Sequence, residues 1–94
     1  MTSPDTVINA VCVAHAIDRP TLFARHGKRA TGEARMMLYM LWRVCCRLDM
    51  GDMAKLANVD YGVVHYGMRA FRNHYDVDKK TRATFHNILN HLAA

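Results

Sequence analysis

The middle of the chain reads Met36-Met37-Leu38-Tyr39-Met40-Leu41-Trp42-Arg43-Val44, with a single polar residue. As a helix this stretch is apolar nearly all round, and such a helix must be covered on most of its sides. The run is well short of the roughly 18 apolar residues that a membrane span requires. It is predicted to be the central helix of a helical bundle, over residues 32–47, with Thr31 as its cap. The rest of the chain must then supply the helices that cover it.

The remaining sequence is suited to that task. Val, Ile and Thr nowhere alternate for long as strands require, and apolar residues recur at steps of three and four. A first helix is predicted after Ser3-Pro4-Asp5, since Ser3 can cap it and Pro4 suits a first turn. Its apolar stripe is Val7, Val11, Ala14 and Ile17, and Asp18-Arg19-Pro20-Thr21 ends it. A short helix over 21–24 contributes Leu22 and Phe23, and residues 26–32 form a basic loop. Asp49 caps a fourth helix over 50–57, Asn58-Val59 is a turn, and Asp60 caps a fifth helix to about His74. Asp76 or Asp78 caps a sixth, with Phe85, Ile88, Leu89 and Leu92 as its buried stripe. At 94 residues, 51% of them hydrophobic, this is one all-α domain of about six helices, spanning 1–94.

The charge is uneven. From Arg19 to Arg47 there are seven basic residues (Arg19, Arg25, Lys28, Arg29, Arg35, Arg43, Arg47) against Glu33 alone. The rest of the chain is nearly neutral, so the net +5 is concentrated in one third of its length. A local positive field favours a polyanion, most simply a phosphate backbone. The competing reading is a solvated basic face with no ligand.

Three cysteines, Cys12 and the adjacent Cys45 and Cys46, form no disulfide framework, so a reducing, cytoplasmic setting is expected. The amino-terminus carries no signal-peptide pattern. The six histidines, His15, His26, His65, His74, His86 and His91, lack the close spacing of a metal site. No nucleophile, base and orienting acid stand out, so neither an enzyme nor a metal or other cofactor is expected. The methionines of the central helix are read as core filler, with a soft partner-binding surface as the alternative.

The stretch Met53-Ala54-Lys55-Leu56-Ala57-Asn58-Val59-Asp60-Tyr61-Gly62-Val63-Val64 has the pattern of a helix-turn-helix. Ala54 is small where the helices must touch. Asn58 tolerates the left-handed backbone of the turn. Val59 plugs the corner, and Val64 is buried one turn into the second helix. In that helix Val64, Met68 and Phe71 share one face. Gly62, Tyr66, Arg69 and Asn73 therefore point away from the core, with His65 beside them and Tyr61 near the helix start. That outward face suits a major groove, although an ordinary helical hairpin would also have a polar outer face.

From Val7 to Leu92 the chain resembles the carboxy-terminal DNA-binding domain (domain IV) of the bacterial replication initiator DnaA. The family has an amphipathic helix, a short helix, a basic loop and then a long helix opening with Ala-Arg. Here these correspond to residues 7–17, Leu22-Phe23, residues 25–29 and Ala34-Arg35-Met36-Met37-Leu38-Tyr39-Met40-Leu41. The family's Ser-Leu-x-Glu-Ile-Gly helix is matched loosely by Asp49-Met50-Gly51-Asp52-Met53-Ala54. Its Asp-His-[Ser/Thr]-Thr-Val motif corresponds to Asp60-Tyr61-Gly62-Val63-Val64, followed by Arg69 and Phe71. The resemblance implies a Trp-repressor-like helix-turn-helix fold that docks the fifth helix in the major groove of double-stranded DNA. It implies Arg29 in the adjacent minor groove, with Arg25, Lys28, Arg35 and Lys55 on phosphates. Tyr61, Gly62, His65, Tyr66 and Arg69 would then face the major groove. Tyr61, Gly62 and Val63 depart from the residues with which the family reads bases, so the family's own target sequence does not carry over. No Gly-rich phosphate loop appears in these residues, so an initiator ATPase is not expected of them. Two readings follow: a regulator of replication initiation or transcription, in a bacterium or its phage, that binds DNA, or an adaptor of the same fold that binds and inhibits or recruits a replication or regulatory protein.

Overall fold

The computed structural model describes residues 2–24 and 29–93, with Arg29 and Ala30 described by backbone only. Among these residues the chain is all-α, with six helices: α1 (Pro4–His15), α2 (Arg19–Leu22), α3 (Arg29–Cys45), α4 (Met50–Ala57), α5 (Tyr61–Val77) and α6 (Lys79–Ala93). The helix α3 packs on α1, α2 and α5, while α6 closes the other side against α1 and α5. This is the covering that an all-round apolar helix requires. Met37, Leu38, Tyr39, Leu41 and Trp42 of α3 are buried, and only Val44 of its apolar run is half-exposed. The indole N–H of Trp42 donates to the Pro4 carbonyl at 3.2 Å, so the largest core residue also fixes the start of α1.

The helix ends follow local chemistry. Ser3 Oγ accepts from the Thr6 N–H at 3.2 Å, and Asp49 accepts from the Asp52 N–H at 2.8 Å. Asp78 rather than Asp76 begins α6, accepting from the Lys80 N–H and the Thr81 hydroxyl. Arg82 reaches back to donate to the carbonyls of Tyr75 and Asp76, satisfying the last turn of α5. The chain turns left-handed at Ala16, Arg47 and Asn58, none of them glycine. At Ala16 and Asn58 the two backbone hydrogen bonds of a Schellman motif close the helix behind the turn.

Several expected boundaries move. The helix α2 starts at Arg19, not Thr21, because Asp18 accepts from the Thr21 N–H at 2.8 Å and Pro20 fits the first turn. The long helix starts at Arg29 instead of Gly32, so Thr31 lies inside it, buried, and is not its cap. It ends at Cys45, before the left-handed Arg47. The helix α5 runs one turn past His74. Ala14 lies on the same side of α1 as the buried Val7 and Val11 but is exposed, in the last turn of the helix.

Candidate nucleic-acid interface

The pair α4–α5 is built as its sequence predicts. Met53, Ala54 and Ala57 of α4 are buried. Asn58 then adopts φ 55°, and its N–H and that of Val59 donate back to the carbonyls of Lys55 and Ala54. Val59 sits half-buried in the corner, and Val64 is fully buried one turn into α5. Asp60 occupies the cap position of α5, but its carboxylate makes no capping hydrogen bond; the Val63 N–H bonds its backbone carbonyl instead.

Burial of Val64, Gly67, Met68 and Phe71 orients α5. Gly62, His65, Tyr66, Arg69 and Asn73 are all exposed, as expected for an outward face, and Tyr61 is exposed at the helix start. Lys55 is exposed on α4. Tyr66, 72% exposed, is the most open aromatic side chain of the described residues. Three exposed residues on or beside this face are not among the expected base or phosphate contacts: Leu56, Val63 and Arg72. The first two look like core residues by type alone. Arg72 carried no pattern of its own, although its spacing from Arg69 is one helical turn.

Of the basic residues expected to meet phosphate, Arg25 and Lys28 lie outside the described residues; so does the side chain of Arg29, expected in the minor groove. Arg29 is the first residue of α3 and not part of a preceding loop. Arg35 is half-buried and donates from Nη1 to the Ala24 carbonyl. It therefore ties the residue before the basic stretch to α3, and only the rest of its guanidinium is available to a ligand. A groove beside α5 is lined by Phe23, Met36, Tyr39, Val59, Val63 and Tyr66.

Burial raises the thiol pKa of Cys45 and Cys46, the latter also through its neighbour, and burial raises that of Cys12. Such thiols stay protonated and are poor nucleophiles. Burial likewise raises the Tyr39 hydroxyl, an effect opposed by Arg35. No group of three or more His, Cys, Asp or Glu side chains converges among the described residues. None of the described helices is long and apolar enough to cross a membrane. No protein-family model matches the sequence, and no curated protein matches it.

Proposed function

We propose that this chain is a DNA-binding protein that inserts α5 into the major groove, as in the DnaA domain IV it resembles. The observation that carries the reading is the outer face of α5. Tyr61, His65, Tyr66 and Arg69 are exposed together, behind a turn whose backbone is held by Asn58. Arg29 would supply the minor-groove contact, and Arg25, Lys28 and Lys55 with the free part of Arg35 would meet phosphates. The protein would act in the cytoplasm, as a binder and not a catalyst, regulating replication initiation or transcription. Binding should be salt-sensitive, with log affinity falling linearly in log salt. Fluorescence anisotropy with duplex DNA over a salt series tests this. Arg29→Ala should weaken binding, and no binding to any duplex at low salt would overturn the reading.

A second reading is favoured by one observation. Leu56, Val63 and Tyr66 leave apolar surface open beside the groove that runs along α5. An adaptor that binds a replication or regulatory protein would use that surface. Its signature is a tight complex with a protein partner that survives Arg29→Ala and Arg69→Ala.

A further inference from the structure

The first two turns of α5 expose Tyr61, Gly62, Val63, His65 and Tyr66. None of these carries a guanidinium or a carboxamide, the groups that read guanine and adenine through paired hydrogen bonds. Arg69 is the first such group on the helix. What the opening turn offers instead is bare backbone and methyl groups. A Cβ built at Gly62 would meet nothing within 4 Å, so the backbone there is open to close approach. Next to it Val63 is 47% exposed, while its neighbour Val64 carries the packing and is fully buried.

On the major-groove edges of the four bases only thymine presents a methyl group. The exposed basic groups of the helix pair suit a nucleic acid: Arg69 and Arg72 lie on α5 and Lys55 on α4, and α5 itself has no carboxylate before Asp76, although its cap residue Asp60 is exposed three residues before Val63. We propose that Val63, brought close by the bare backbone of Gly62, reads thymine methyl groups, so that the preferred duplex has thymines under the first turn of α5. The inference rests on the DNA-binding reading and gives that site its base preference.

Thymine and uracil differ by the C5 methyl alone and pair identically, which isolates the contact. The full chain would first be used to select duplexes from a random pool. The selected duplex would then be synthesised with uracil at each thymine in turn, and its affinity measured by anisotropy. Burying one methyl group corresponds to about a four-fold change in affinity. The expected result is about a four-fold loss at one or two thymines and no change elsewhere. Val63→Ala, at an exposed helical position, should bind thymine and uracil duplexes equally. Tight binding that ignores every uracil substitution would overturn methyl reading and leave DNA binding intact. Discrimination against uracil that persists in Val63→Ala would overturn the role of Val63. Failure to enrich or bind any duplex would overturn the DNA-binding reading itself, and this inference with it.

Discussion

Gly67 of α5 lies against the ring of Tyr39 of α3 so closely that a Cβ on the glycine would sit 2.8 Å from Tyr39 Cδ2 and 2.9 Å from Cε2. The ring cannot swing away, since Tyr39 is 2% exposed within the core. This contact sets how near α5 comes to α3. Alanine has a helix propensity about 1 kcal/mol better than glycine. Overpacking a filled core costs about 1–3 kcal/mol, so the steric term should win. Gly67→Ala is expected to lower stability by up to about 2 kcal/mol in urea denaturation. A gain in stability would mean that α5 shifts freely on α3.

Gly62 is the opposite case on the same helix, because open space surrounds its missing Cβ. Here propensity acts alone. Gly62→Ala is expected to stabilise the fold by up to about 1 kcal/mol, less if the first turn frays. If Gly62 matters for close approach to DNA, the same variant should bind duplexes more weakly while melting at a higher temperature. Thermal melts and anisotropy on one preparation separate the two effects.

The fold was largely legible because its signals are local. Ser3, Asp49 and Asn58 act through their own neighbours, and the apolar run of α3 announces its burial. The start of α3 is hidden in the sequence because Thr31 looks like a cap, whereas the tertiary fold buries it in the helix. The close contact at Gly67 had a signal, a glycine on the Val64-Met68-Phe71 face, but its partner in α3 is distant in sequence. The candidate site was legible as a face and less so in detail. Val63 and Leu56 are apolar by type, and only the packing of α4 and α5 reveals that they are exposed.

Asp18 and Asp78 link stability to pH. Each is an exposed helix cap whose pKa is lowered, Asp18 first by its Thr21 hydrogen bond and Asp78 first by that of Thr81. A carboxylate with a folded pKa below its unfolded value stabilises the fold above the unfolded pKa. That contribution fades as pH falls through the folded value. Stability should therefore drop below the ordinary carboxylate range. Asp18→Asn with Asp78→Asn keeps a capping oxygen but removes the titration. The double variant should show a flatter stability profile between about pH 5 and pH 2. An unchanged profile would assign the acid sensitivity to other carboxylates.

Asn58 connects backbone conformation to the proposed activity. At φ 55° it bends α4 into α5, with the N–H of Val59 held by Ala54 at 3.0 Å. Left-handed backbone costs an ordinary L-residue about 1–2 kcal/mol, less for Asn and nothing for Gly. Asn58→Gly should thus keep the turn, with stability unchanged or slightly raised and any DNA affinity retained. Asn58→Val should lose about 1–2 kcal/mol, because a β-branched residue resists this backbone most. If the angle between α4 and α5 governs entry into a groove, Asn58→Val should also weaken DNA binding by more than its unfolded fraction explains. Affinity measured well below the variant's melting temperature, alongside its circular dichroism, distinguishes a re-aimed helix from an unfolded chain.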